Sequence, residues 1–224
     1  MQTKILAVFI EKIIILVYFC KNNLIMPKSY SAYTLDDLTD LGLSIAEESF
    51  LQDKKIGNVE PSAFLIEALE RGKRRKLTSE KAKSEHIIAP ILSELEEINN
   101  RSFATFSGCK LDVDKQLGLT GFCDFILSKE PKFPSLKAPI FCVVEAKNDN
   151  LDVGLAQCIA EMYASQIFNQ KKEKPREVIY GATTFGFEWK FLQLIDKKVS
   201  IDEDIYYLNE LPKLIGVLNY IVNQ

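Results

Sequence analysis

Apolar and polar positions change period several times along this chain, and each change marks an element. From Thr34 to Ser49 the pattern predicts a first helix, with Thr34 as its cap and Asp36 and Asp37 in its first turn. A second helix is predicted from Pro61 to Arg71, with proline at its start and Gly72 just past its end. The third spans Ser79 to Asn99, where Glu85, Ile88, Leu92 and Leu95 recur on one face. Pro90 lies inside that helix and should kink it or locally break its hydrogen-bond ladder.

The middle of the chain reads as strands: Phe103 to Val113, Leu119 to Ser128, and Ala138 to Lys147. The link from Lys129 to Pro134 carries two prolines and is a loop. Leu151 to Gln170 returns to helical spacing, with Leu155, Ile159, Met162 and Phe168 among its apolar positions. Two further strands, Glu177 to Thr184 and Phe187 to Ile195, turn near Gly186, and a last helix covers Leu211 to Val222. From Ser79 onward the order is α-β-β-β-α-β, closed by one more strand and helix.

A chain of 224 residues with 47% hydrophobic and 26% charged residues can bury a real core, which excludes a disordered protein. Its net charge of −3 provides no global positive field toward nucleic acid, leaving that task to local basic patches. Five cysteines show no CxxC spacing, and three sit in apolar runs, as buried free thiols do; the natural compartment is a reducing cytoplasm. Residues Ile5 to Phe19 are apolar but are interrupted by Glu11 and Lys12, and they are too short for a membrane span. No small-x-small cleavage site follows them, so the favoured start is Met26, with residues 1–25 a mis-called start or apolar leader. A membrane partner is expected only if those residues are translated. The domain plan is then a helical N-terminal extension over 26–77 and a main domain over 78–224.

The chemistry concentrates at strand ends. Phe141-Cys142-Val143-Val144-Glu145-Ala146-Lys147 is an apolar strand ending in a carboxylate and an amine two positions apart, hence on one strand face. On an exposed strand such a pair would simply neutralise itself; the apolar context makes it a candidate site. Asp124 sits inside the preceding apolar strand. Two strand-borne carboxylates and a lysine are what a divalent metal and a phosphodiester require.

This element order, with Asp124 in the second strand and Glu145-Ala146-Lys147 in the third, resembles the PD-(D/E)xK, or restriction endonuclease-like, nuclease superfamily. The segments Ser84–Leu92, Gly118–Phe125, Val144–Asn148 and Gly154–Met162 also resemble an uncharacterised, largely cyanobacterial family of about 200 residues. The resemblance implies an α/β fold with an αβββαβ core, a mixed central sheet and flanking helices. It implies that Asp124 and Glu145 ligate Mg²⁺ or Mn²⁺, that Lys147 orients the attacking water, and that Glu85 binds metal directly or through water. Gln157 matches a glutamine of several lineages, some of which place a tyrosine four residues beyond; here that position is Glu161, with Tyr163 two later.

The implied activity is metal-dependent hydrolysis of DNA in defence or repair, with DNA and a second copy of the chain (a homodimer) as expected partners. A catalytically inactive nuclease-fold module that binds protein or nucleic acid is the alternative. The single histidine, His86, reads as a surface or helix-end residue. Arg71-Gly72-Lys73-Arg74-Arg75-Lys76 and the run Lys171, Lys172, Lys174, Arg176 are either solvated or reach phosphates. Trp189 and Phe191 alternate with Lys190 and are expected in the core.

Overall fold

A computed structural model describes residues 28–52 and 54–224; the Met26 start and the apolar leader lie outside the described residues. Among the described residues, eight strands form one mixed sheet flanked by helices. After a 3₁₀ turn at Tyr30–Ala32 come α1 (Leu35–Asp40), β1 (Ser44–Glu47) and α2 (Ala63–Lys73). Next follow α3 (Glu80–Lys83), a π-helical turn (Ser84–Ile88), α4 (Ala89–Ile98), β2 (Ala104–Lys110), β3 (Phe122–Ser128) and β4 (Ile140–Ala146). The chain continues through α5 (Leu155–Lys171), β5 (Val178–Thr184), β6 (Glu188–Ile195), β7 (Lys198–Ile201), β8 (Tyr206–Tyr207) and α6 (Leu211–Val222).

The sheet order is β1-β7-β6-β5-β4-β3-β2, with β8 on β6 beside β7. Strands β2, β3 and β4 form an antiparallel meander, whereas β4 and β5 are parallel and are joined through α5. One sheet face packs against α2, the π turn, α4 and α6 through Leu65, Ile88, Leu92, Leu214 and Leu218 around Trp189 and Phe191. The other packs against α1 and α5 through Leu38, Ile159, Met162, Val143, Leu192 and Val199. With both faces covered, every residue of β4 is buried, which explains its unbroken apolar run.

The expected helix from Thr34 to Ser49 is only its first third. Thr34 does cap α1, in a reciprocal box with Asp37. The helix then stops because Gly42 turns the chain at φ +82°, a conformation that favours glycine. Ser44–Glu47 leaves as an edge strand parallel to β7, so the segment expected to be purely helical also contributes to the sheet. The short strands β7 and β8 are likewise additions to the expected order.

Pro90 acts one turn upstream of itself. Lacking an N–H, it cannot bond the His86 carbonyl, and the preceding turn widens so that the Ala89 N–H donates to Ser84 O. Gly72, at the end of α2, fills the space beside that carbonyl; a Cβ there would lie 2.3 Å from His86 O. The other end of α2 is fixed by the buried Glu94 carboxylate, which accepts from Ser62 N at 2.7 Å and from Ser62 Oγ at 2.8 Å. Helix α2 is therefore pinned to the π turn and to α4 at both ends.

Of the cysteines, Cys109, Cys123, Cys142 and Cys158 are free, the last three buried. No helix among the described residues is long and apolar enough to cross a membrane.

Candidate active site

A β-bulge decides which way Glu145 points. Pairing of β3 with β4 shifts register between Leu127 and Ser128, so Phe141 and Cys142 both face the α4/α6 side, and Val143 then faces α5. Glu145 follows Val143 onto the α5 face; without the extra residue it would face α4. Backbone pairing of β3 with β4 ends at Phe125–Val144, and beyond it the Asp124 side chain takes over: its Oδ2 accepts from the Ala146 N–H at 2.8 Å. Asp124 is thereby held near Glu145, close enough for each carboxyl group to feel the other's charge.

Lys147 follows the end of β4. Its N–H donates to Thr184 O at 2.8 Å, extending the parallel pairing with β5, and its ammonium bonds Glu145 Oε1. Gly154 leaves room for its stem: an added Cβ would meet Lys147 Cγ at 3.1 Å and Cε at 3.2 Å. From α5, Gln157 Oε1 accepts from Lys147 Nζ at 3.2 Å, and its Nε2 donates to Glu161 Oε1 at 3.1 Å. Thus Asp124, Glu145, Lys147 and Gln157 come together.

Glu85 does not join them. It lies on the solvent face, 56% exposed, 3.8 Å from Lys81 one turn back. Counting along a regular α-helix put it in line with Ile88, Leu92 and Leu95, but the wider π turn rotates it away. The carboxylate that the helix brings to the site is Glu80. It is half-buried, its pKa is raised by desolvation, and it senses both Lys147 and Asp124. Lys83, one turn on, donates to Asn148 O and lies over the Phe185 ring, closing the helix start onto the loop after β4.

Glu161 is the second residue that the sequence did not reveal as part of the site. It is fully buried on α5, and its Oε2, like Oε2 of Glu145, has no hydrogen-bond partner. Two facing carboxylates in a desolvated site cannot both stay ionised without a cation or proton between them. Burial first, and then Asp124, push Glu145 up to about 8, and burial with Glu145 raises Glu161 well above the carboxylate range. Lys147 points the other way: burial lowers it, but Glu145 outweighs this and the ammonium is held above its ordinary value, which requires Glu145 ionised. The retained proton therefore sits on Glu161, the carboxylate without a cation, and the negative charge on Glu145 beside the Lys147 ammonium.

A cleft of about 380 Å³ lies beyond the carboxyl ends of β4 and β5, lined by Asp149, Asn150, Asp152, Phe185, Glu188 and Lys190; it neighbours Lys147 along the chain, but none of the site carboxylates lines it. A larger cavity of about 480 Å³ lies at the other end of the sheet, among Phe133, Lys137, Phe168 and Lys172, and holds none of the site carboxylates.

No protein-family model and no curated protein matches the chain. Function is read from the geometry.

A divalent ion fits these residues by charge: Asp124, Glu145 and Glu161, with Glu80 nearby, face a single ammonium, and two carboxylate oxygens are orphaned. Among the described residues no three His, Cys, Asp or Glu side chains form a ready-made metal cage. Mg²⁺ does not need one, since it takes one or two carboxylates, keeps several waters and recruits phosphate oxygens. If the site turns over a substrate with a divalent ion, replacement of Glu80 by glutamine is expected to lower that turnover by about tenfold, in the range for groups that orient a metal's ligands. Glu85→Gln should stay within about twofold, the behaviour of a surface position. Steady-state rates of the two variants side by side check the exchange of roles.

Proposed function

We propose that this chain is a metal-dependent nuclease that hydrolyses DNA phosphodiester bonds. The observation that carries this reading is the convergence of Asp124 and Glu145 on one buried point, excess in negative charge, with the Lys147 ammonium beside it. The order helix-β-β-β-helix-β, with β4 and β5 parallel and the acids at their carboxyl end, supports a restriction endonuclease-like core.

In this reading Asp124 and Glu145 hold Mg²⁺ or Mn²⁺. When bound, such an ion supplies a Lewis acid and a water acidic enough to attack. Lys147, kept protonated by Glu145, orients that water and places positive charge beside the phosphoryl oxygens as negative charge develops. Gln157 holds the ammonium, and Glu161 fixes the Gln157 amide so that its oxygen faces the lysine. The cleft wall carries Asp149, Asp152 and Glu188 alongside Lys190, so a polyanion needs the cation as a bridge into the site.

Asp124→Asn tests the assignment. The amide still accepts from the Ala146 N–H, so the fold should persist, but the charged ligand is lost. Cleavage in Mg²⁺ is expected to fall by about 10²-fold or more, the scale of losing a group that holds a catalytic metal, with part restored by Mn²⁺, which binds nitrogen- and oxygen-donor sites more tightly. Unchanged Mg²⁺-dependent cleavage would remove Asp124 from the site.

A further inference from the structure

Two basic runs stand out in the sequence, and the structure separates them. The run Lys171, Lys172, Lys174 and Arg176 follows α5 at the far end of the sheet, where Asn169 brackets Ile140 at the start of β4. There Lys174 pairs with Glu130, and Lys171 donates to Val113 O.

The run Arg71 to Lys76 lies at the other end, the end of the site. Gly72 is buried against His86 O; the adjacent Ile87 packs on Gly186, whose added Cβ would meet Ile87 Cγ2 at 3.1 Å. Gly186 belongs to the β5–β6 turn, and its neighbour Phe185 lines the cleft beyond Lys147. Lys73 itself lines a cavity with Phe187, Glu188 and Tyr207. The run thus sits about one helix diameter, roughly 10 Å, above the turn that borders the site.

All five cations are exposed while the glycine between them is buried, so a fixed backbone carries a row of free heads. Arg71 pairs with Glu67, and Arg74 lies 4.0 Å from Glu70. Lys73, Arg75 and Lys76 have no carboxylate partner among the described residues. The helix dipole explains cations in the last turn of α2, Arg71 and Lys73, but not Arg75 and Lys76 beyond it.

We infer that the ridge Lys73, Arg75 and Lys76 tracks the phosphate backbone of a DNA duplex whose scissile phosphate lies at Lys147. Charge complementarity identifies the occupant: in a chain of net charge −3, this is a dense run of unneutralised positive charge, fixed on the rim of a site that reads as phosphodiester-cleaving. The inference rests on the nuclease reading for its orientation and supplies what that reading lacks, a means for an acidic protein to hold a polyanion.

The test uses the full chain with Lys147→Ala, which binds without cutting, and a short fluorescent duplex titrated in Mg²⁺ across a series of salt concentrations. Adding Lys73→Gln, Arg75→Gln and Lys76→Gln should weaken binding by roughly tenfold or more at moderate salt. Each lost phosphate contact should also remove about 1 from the slope of log affinity against log salt. Neutralising Lys171 and Lys172 should change neither, and an equal loss there would overturn the ridge. Unaltered thermal melting of the triple variant confirms that only the surface changed. If wild type cleaves DNA but the ridge variant keeps its affinity and slope, the ridge is wrong and the nuclease reading stands. Conversely, duplex binding that depends on the ridge, without cleavage in any metal, keeps the ridge's phosphate contacts and removes the nuclease together with the placement of a scissile phosphate at Lys147. A background protein that does not bind duplex even at low salt overturns the inference.

Discussion

Lys147→Ala is expected to lower the proposed metal-dependent cleavage by about 10²–10³-fold, the usual loss when one preorganised donor is taken from a transition state. Its ammonium is positioned from three sides: Glu145 Oε1, Gln157 Oε1 at 3.2 Å, and the wall formed at Gly154, where an added Cβ would meet the stem at 3.1 Å. The fold survives, because Glu145 can take up a proton when its counter-charge is removed. Lys147→Arg keeps the charge but is not expected to restore the rate, since a planar guanidinium spreads over a fork the charge that the ammonium concentrates at Glu145 and Gln157. Single-turnover rates at saturating DNA separate this loss of chemistry from weaker binding. A wild-type rate in Lys147→Ala would end the role assigned to the lysine, whether or not the protein cuts DNA.

The second large effect is a metal-dependent reversal of pH sensitivity. Burial and mutual repulsion raise the Glu145–Glu161 pair above the ordinary 4.5, Glu145 to about 8, so between about pH 4.5 and 8 the folded pair keeps one proton, on Glu161, that the unfolded chain has released. Stability therefore falls as pH rises through that window. The loss is on the order of 2–4 kcal/mol after relaxation around the buried acids, or roughly 5–10 °C in Tm for a chain of this size. A divalent ion bound as proposed would do at pH 8 what the proton does at pH 5. At about 100 times its dissociation constant it would restore about 2.7 kcal/mol. Thermal melts at pH 5 and pH 8, with chelator and with Mn²⁺, should show a steep decline in the first series and a flat one in the second. Glu161→Gln, which keeps an acceptor for Gln157 and removes one titrating group, should flatten the chelator series by itself.

Much of this site was legible because strands announce themselves. Glu145 and Lys147 end an apolar run, and Asp124 interrupts another, so the pattern that predicts β3 and β4 also marks the residues that break it. The helix residues were harder. Glu161 lies four positions from Gln157 among Cys158, Ile159 and Met162; a carboxylate within that buried stripe was the signal that could have found it. Glu80 and Glu85 exchanged places because Pro90 inserts a π turn, and regular helical spacing does not hold across it. In the first predicted helix, Gly42 was the sign that the helix stops before the edge strand Ser44-Ile45-Ala46-Glu47. Four residues give too little periodicity to outweigh the cap at Thr34. The position of the basic run at Arg71 could not be read locally, because it depends on Gly72 meeting the His86 carbonyl across two helices.

The account is tested most directly by incubating the full chain with linear, nicked and single-stranded DNA in Mg²⁺, in Mn²⁺ and in chelator, beside Asp124→Asn and Lys147→Ala. It predicts products that require a divalent ion and fall steeply in both variants. No cleavage of any of the three DNAs in either metal, together with melting curves that neither ion shifts, would contradict it and favour the alternative, a module that binds without cutting.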